Sequence, residues 1–306
     1  MSDWVGPKKL TKILKGSKIV VMKILGIEST CDETAAAVVE FDASKISCES
    51  SPKLKLLSSV VHSQIDIHAQ FGGVIPEVAA RSHIEYANPV IRKALSQAGT
   101  SFEDLDGIAV SYAPGLVGSL LVGTLTARTY ARIFNKPFYP VHHVEAHVYA
   151  NFLNQNPPKF PFLALVVSGG HSQIVLFKSH GNYEILGETQ DDAVGEAFDK
   201  VAKIIGLPYP GGPAISEAAL NGDSSKYKLR LKGKYDFSFS GLKTAVLRAV
   251  QKEVGVDFNF PSFELAAKLT EKQRNDFAAS FQKTAVETLV DKLEKAVKVY
   301  QPTTIV

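Results

Sequence analysis

Short apolar blocks, interrupted by small and acidic residues, mark the opening of the chain. "KILGIE" (23–28) reads as a strand, "STCDET" (29–34) as a polar turn, and "AAAVVEF" (35–41) as the returning strand. About 140 residues later "FLALVVS" (162–168) runs into the turn "GGHS" (169–172) and out again as "QIVLF" (173–177). Two strand–turn–strand units of this kind predict an internal duplication, one copy opening each half of the molecule.

Between the hairpins the period lengthens. "EVAARSHIEYANPVIRKALSQAG" (77–99) spaces Val78, Ile84, Val90, Ile91 and Leu95 at helical intervals, and Gly99 fits a C-cap. "GIAVSYAPG" (107–115) is a strand feeding a second helix over 115–134, which carries Gly115, Gly118 and Gly123 near its start. Glycine lowers helix stability there, so close packing of backbone against a neighbour is expected. The stretch from about 190 to 298 reads as mostly helical, punctuated by "LPYPGGP" (207–213), and "QPTTIV" (301–306) reads as a new strand. Strands mixed with helices in this order predict an α/β fold. The expected division is an extension at 1–21, one subdomain at 22–150, and a second at 151–306 with a helical insertion.

Composition narrows the class. The chain of 306 residues is 45% apolar and 21% charged, which describes a globular protein long enough for two domains. No apolar run reaches the roughly 18 residues of a membrane span. Two cysteines, Cys31 and Cys48, make no disulfide framework, and a reducing, cytoplasmic setting is expected. The net charge of +3 comes from the first 21 residues, where Lys8, Lys9, Lys12, Lys15 and Lys18 face only Asp3. The remainder is near neutral, so a nucleic-acid partner needs a local basic patch. Residues 1–21 lack both the apolar core of a secretory signal and the arginines of a transit peptide. They read as an extension ahead of Met22.

Four groups of residues carry candidate chemistry. In "PVHHVEAHVYA" (140–150), His143 and His147 lie four apart and share a helix face, within reach of one metal ion or in a structural role. The order H-V-E-A-H moves the acid ~100° from its place in the zinc-peptidase pattern H-E-x-x-H, which argues against a peptidase. "VVSGGHS" (166–172) offers backbone N–H groups to a phosphate or carboxylate, or is a plain hairpin turn; "PYPGGPA" (208–214) accommodates a nucleotide or close packing. Asp32 and Glu33 sit side by side in a turn, with side chains expected to point in different directions. In "TQDDAVGEAFDK" (189–200), Asp192, Glu196 and Asp199 are placed on one helix side, where like charges repel unless a cation or ligand answers them. Cys31 has no cationic sequence neighbour and is rejected as a nucleophile.

Taken together, "GIESTCDETAAAVV", "HAQFGGVIPEVAARSHIE", "APGLVGSLLVGTLTAR", "HHVEAH", "LVVSGGHSQIV", "DDAVGEAFDKVAKIIGLPYPGGP" and "FSFSGLKTAV" resemble the family of tRNA N6-adenosine threonylcarbamoyltransferases, in its bacterial TsaD type. The segments occur in family order over roughly residues 22–306. The resemblance implies an actin/Hsp70/sugar-kinase-like (ASKHA) fold, two related α/β halves around a nucleotide cleft. It implies that His143 and His147 hold a divalent metal, iron(II) first and zinc(II) as the alternative. Val166, Val167, Ser168, Gly169, Gly170, Asp199 and Gly212 match positions that bind L-threonylcarbamoyl-adenylate or its nucleotide. Asp32 and Glu33 match an acidic pair needed for activity. Arg81 and His83 lie in a family signature with no role derived from the sequence.

The implied reaction moves the threonylcarbamoyl group from L-threonylcarbamoyl-adenylate to N6 of adenosine 37 in tRNAs that read codons starting with A. The implied partners are tRNA, a TsaB-like paralogue and a TsaE-like ATPase, with no membrane. Lys226, Lys228, Arg230, Lys232, Lys234 and Lys243, interleaved with aromatics, are the expected phosphate contacts. One departure stands out. Family members continue past a strand like "TTIV" into a Gly-Gly-x-x-x-Asn turn and, later, a metal-binding aspartate. Neither is present, so the chain reads as cut short, with an incomplete metal site and nucleotide pocket. The competing readings are a non-catalytic nucleotide-binding scaffold, a metallo-endopeptidase, and a sugar kinase on the same fold.

Overall fold

A computed structural model describes residues 21–47, 53–229 and 236–306. Residues 1–20 of the extension expected at 1–21, Cys48, and the basic residues Arg230, Lys232 and Lys234 lie outside the described residues. The chain forms two compact units, one of residues up to 64 with 76–157, the other of residues 65–75 with 158–306.

The first unit is built on a mixed sheet. Strands β1 (Val21–Glu28), β2 (Glu33–Asp42) and β3 (Lys55–Ser63) form an antiparallel meander, while β4 (Gly107–Ala113) and β5 (Phe138–His142) join β1 in parallel, giving the order β3-β2-β1-β4-β5. Leu25, Ile27, Val38, Val60, Ile108 and Val110 alternate with less buried neighbours, as period-two strands must. Their common face packs on α2 (Pro76–Ala98) and α3 (Val117–Ile133) through Val90, Ile91, Ala94, Leu95, Ala127 and Ala131. The short helix α4 (His143–Tyr149) follows β5 directly. Two details depart from the sequence reading of α2. Ile84 is 66% exposed, and its polar neighbour His83 is fully buried.

The second unit repeats the plan. Strands β6 (Phe162–Val167), β7 (Ser172–Ser179) and β8 (Asn182–Glu188) form the meander, and β9 (Thr304–Ile305) joins β6 in parallel, giving the order β8-β7-β6-β9. This matches the first four strands of the other sheet, so the duplication expected from the two hairpins is present as topology. It also makes "TTIV" a strand, tied by Val306 N–H to Leu163 O. Helices α5 (Val194–Ile205), α6 (Gly211–Ala219), α7 (Phe239–Glu253) and α8 (Glu271–Tyr300) cover the sheet around Phe237, Phe239, Leu242, Val246, Phe277 and Phe281. A capping box of Thr270 and Gln273 starts the long α8.

The first unit runs to Pro157, past the expected division at 150/151, and takes in the 3-10 turn Ala150–Leu153 with its buried Phe152. Residues 65–75, including α1 (Ile65–Ala69), group with the second unit although they lie between elements of the first. Among the described residues no helix is long and apolar enough to cross a membrane. The α/β class and the doubled sheet are as expected from the sequence.

Candidate functional site

The candidate residues divide between the two units. In the first, the acidic turn joins β1 to β2 and is tied down on every side. Leu116 N–H donates to Thr30 O and Gln64 N–H to Asp32 O, both within 2.9 Å. Ser29 Oγ donates to Ser119 O at 2.9 Å. The α3 backbone comes so close that a Cβ on Gly115 would strike Thr30 and one on Gly123 would strike Ser29. This is the close packing the sequence predicted for two of those glycines; Gly115 precedes α3, and at Gly123, inside it, the lost helix propensity is offset by the fit.

Asp32 and Glu33 do not point apart. Their side chains hydrogen-bond to each other, with the protonated Glu33 carboxyl as donor. Burial, then the adjacent Asp32 and the more distant Glu28, raise the Glu33 carboxyl to about 7. Adjacent residues converge here because Asp32 is in the turn and Glu33 is the first residue of β2, so strand alternation does not yet apply. The same two acids and burial act on Cys31: burial first, then Asp32, push its thiol up to about 12. A thiol so held stays protonated at neutral pH, in line with its rejection as a nucleophile.

The histidine pair lies in the same unit. His143 and His147 approach with their Nε2 atoms 3.1 Å apart and their rings at 75°. His143 Nδ1 donates to Glu28 Oε2 at 3.1 Å, which leaves its Nε2 as the lone-pair donor. Burial, then His143, lower the pKa of His147 and favour its neutral form. Two nitrogens converging at this distance fit one divalent ion, since tetrahedral Zn–N bonds of ~2.0–2.1 Å place ligand nitrogens ~3.3 Å apart. Among the described residues no third His, Cys, Asp or Glu joins them to make a three-ligand group.

Glu28 was not singled out in the sequence. Burial alone would raise its carboxyl, but hydrogen bonds from His143, Ser111 and Thr30 outweigh that and hold it at about 2. An acid closing an otherwise apolar strand was the available signal. Glu28 meets His143 on Nδ1, the side away from Nε2, so it orients the ring and does not serve as a water-activating acid of the peptidase kind.

In the second unit the turn after β6 closes on itself. Ser168 N–H donates to His171 O at 2.9 Å and His171 N–H returns to Ser168 Oγ at 3.0 Å. The Ser168 N–H is therefore already used, and donors for a ligand must come from the glycines. The N-terminus of α5 sits beneath: Val194 N–H donates to Ser172 Oγ, and a Cβ on Gly195 would strike Ser168 and Gly169. Above, a Cβ on Gly169, Gly170 or Gly212 would meet nothing within 4 Å. Val166 is buried in β6 and Val167 half exposed, so Val167 faces out beside the turn.

Asp199 accepts from Gly211 N–H at 2.7 Å and so holds the start of α6, next to Gly212. Asp192 precedes α5 instead of sharing its face with Glu196 and Asp199. Lysines answer the acids: Lys200 bridges Asp192 and Glu196 at 2.7 Å each, and Lys243 reaches Asp192 at 3.1 Å. Lys243 is thus already paired, whereas Lys226 and Lys228 are exposed.

The sequence model of the family TsaD, tRNA N6-adenosine threonylcarbamoyltransferase, matches residues 55–306. The chain belongs to this family. It is 48% identical to the tRNA N6-adenosine threonylcarbamoyltransferase of Symbiobacterium thermophilum, over 89% of this chain and 74% of that protein. It is also 48% identical to the one of Bartonella tribocorum, over 90% and 71%. Among solved structures it resembles component A of the Acidaminococcus fermentans (R)-2-hydroxyglutaryl-CoA dehydratase (12% identity, TM-score 0.42, 90% of this chain and 78% of that one). It also resembles YeaZ from Pseudomonas aeruginosa (12%, 0.32, 54% and 66%). The fold description rests on the strand orders, and these distant likenesses add nothing to it.

Proposed function

We propose that this chain transfers the threonylcarbamoyl group of L-threonylcarbamoyl-adenylate to N6 of adenosine 37 in tRNAs reading ANN codons, releasing AMP. Family membership supports the activity. The observation that carries the reading is the half-buried, hydrogen-bonded Asp32–Glu33 pair in the unit that also holds the converging histidines. In the step itself N6 forms a C–N bond to the carbamoyl carbon, the bond from that carbon to the phosphate oxygen breaks, and AMP departs. Glu33, held near neutrality, accepts the amine proton, while Asp32 holds the other oxygen of the pair in place. The backbone of Gly169 and Gly170, open above the turn, receives the phosphate of the donor. Asp199 fixes the α6 start beside Gly212, where the nucleotide approaches.

His143 and His147 would hold a divalent ion, iron(II) or zinc(II), through Nε2, with Glu28 orienting the His143 ring. When bound, the ion supplies Lewis-acid polarisation of substrate oxygens. Phosphate contacts fall to Lys226, Lys228 and the basic residues after them. Val117, Leu121 and Leu125 on α3 and Ile84 on α2 are exposed apolar residues, which supports docking of a TsaB-like paralogue. A TsaE-like ATPase and a cytoplasmic setting rest on the family resemblance.

The test combines the chain, its partner proteins, the adenylate donor and unmodified tRNA, and measures threonylcarbamoyladenosine in the nucleoside digest. Product is expected with A37 and none when position 37 is guanosine. No product on A37 tRNA, or equal product on both, overturns the reading. A scaffold would leave product formation unchanged when His143 is replaced by alanine; the enzyme loses it.

A further inference from the structure

His83 is fully buried beside the acidic turn, and neither the metal pair nor the hydrogen-bonded acids account for it. It points from α2 into the interior at 0% exposure, while the apolar Ile84 beside it faces out. A helix with a free choice would bury the isoleucine. The exchange costs apolar burial and is offset by two hydrogen bonds. His83 Nε2 lies 3.0 Å from Cys31 O, and Nδ1 lies 2.7 Å from Thr34 Oγ1. A carbonyl oxygen only accepts, so Nε2 carries the proton. Nδ1 of the neutral ring then accepts from the Thr34 hydroxyl. Cys31 and Thr34 are the residues that flank Asp32 and Glu33.

We propose that His83 is a positioning residue of the transfer reaction, one imidazole that grips the acidic turn at Cys31 and Thr34 and so fixes Asp32 and Glu33 between the two grips. Other restraints among the described residues hold the turn at single points: Gln64 N–H on Asp32 O, Leu116 N–H on Thr30 O, the Glu28 and His143 side chains on Thr30, and Ser29 on Ser119 O. Among these groups His83 is the one whose side chain meets both flanks of the pair. Ring geometry makes the span rigid, since its two nitrogens are held at a fixed separation and in one plane. Arg81, two residues earlier in the same signature, plays no such part. It is exposed, and among the described residues its ion pair is with Glu77 on the helix surface. This proposal rests on the reading that Asp32 and Glu33 act in transfer.

Positioning predicts a specific pattern. The acids stay chemically intact when His83 is lost, so donor binding persists while the reactive geometry relaxes, and a misplacement of about 1 Å costs on the order of 100-fold in rate. The experiment measures kcat and KM for the adenylate donor, with partner proteins and tRNA present, for H83A, H83Q, T34V, R81A and E33Q. Melting temperatures are recorded so that rates refer to folded protein. Glutamine can place its amide N–H where Nε2 stood and restore the Cys31 grip; T34V removes the second grip with little change of shape. The expected result is kcat about 100-fold down in H83A with KM within ~3-fold. H83Q should recover at least ~10-fold of that loss, T34V should lose ~10-fold, and R81A should match the wild type.

Wild-type kcat in folded H83A and T34V overturns the proposal. So does H83Q no better than H83A, a rise in KM in place of the fall in kcat, or a rate loss that merely follows the loss of folded protein. If H83A does not fold, T34V and H83Q decide by the same criteria. E33Q separates the two levels. A slow E33Q with normal His83 and Thr34 variants sinks only the positioning role, whereas a wild-type E33Q removes the reading of the acidic pair and the proposal with it.

Discussion

The turn after β1 and the turn after β6 occupy the same place in two sheets that share a four-strand order, yet they are held in opposite ways. The first is gripped from outside: by α3 through Leu116 and Ser119, by Gln64, and by His83 of α2. The second is held mostly by its own Ser168–His171 bonds and by the start of α5 below it, and its glycine tops are open. The glycines follow the same division. Gly115 and Gly123 are needed because another part of the chain presses on them; at Gly169 and Gly170 the space a Cβ would fill is open. One copy of the duplicated hairpin has become a rigid mount for acids, the other a surface that backbone can offer to a ligand.

The largest effect expected from breaking this contrast is at Glu33. Glu33→Gln keeps the hydrogen bond to Asp32 but cannot take a proton, and transfer should fall about 10²–10⁴-fold without loss of fold. The pH dependence follows with its sign. Burial and Asp32 raise the folded-state pKa from 4.5 to about 7. Between those values the native state holds a proton that the unfolded chain has released, so stability falls as pH rises through that interval and levels off above about 7. Rate should rise over the upper part of the same interval as the base ionises. Melting temperature and transfer rate against pH check both, and in Glu33→Gln the two slopes should vanish together.

Next in size is the support behind the histidines. Glu28→Gln keeps the shape but loses the charge that orients His143, and metal affinity should fall by about 10–100-fold. Titration calorimetry with zinc(II), or with iron(II) under anaerobic conditions, measures it directly, without recourse to activity. An unchanged affinity would mean that the ion, if bound, does not use His143 Nε2.

How much of this was legible in the sequence depends on what each feature answers to. The hairpins, the helices over 76–98 and 117–133, and the final strand came from periodicity, because burial on one face imposes it. Close packing at Gly115 and Gly123 came from the local cost of glycine in a helix. What periodicity misread were residues whose partners are far along the chain. Ile84 and His83 exchanged places because His83 answers to Cys31 and Thr34, about 50 residues away. The convergence of Asp32 and Glu33 depends on where the turn ends and β2 begins, and Glu28 is tied to His143 at a separation of 115 residues. Lys243, read as a phosphate contact, is paired to Asp192 across 51 residues.

Smaller effects compare the two kinds of glycine, and here stability and function should part. In Gly123→Ala the new methyl meets Ser29 and must displace it or α3, so the acidic turn shifts and the fold should lose about 1–3 kcal/mol, read by denaturant titration. Gly169→Ala meets nothing in the chain and should change stability by no more than about 0.5 kcal/mol. If the turn exists to let a phosphate reach the backbone, that harmless methyl stands in the path of the donor. KM for the adenylate should then rise several-fold, with kcat little altered, because the substitution touches binding and leaves the acids where they were. A Gly169→Ala protein with normal stability and normal KM would leave the open glycines as a plain hairpin turn, and the donor's phosphate would have to be sought elsewhere in the second unit.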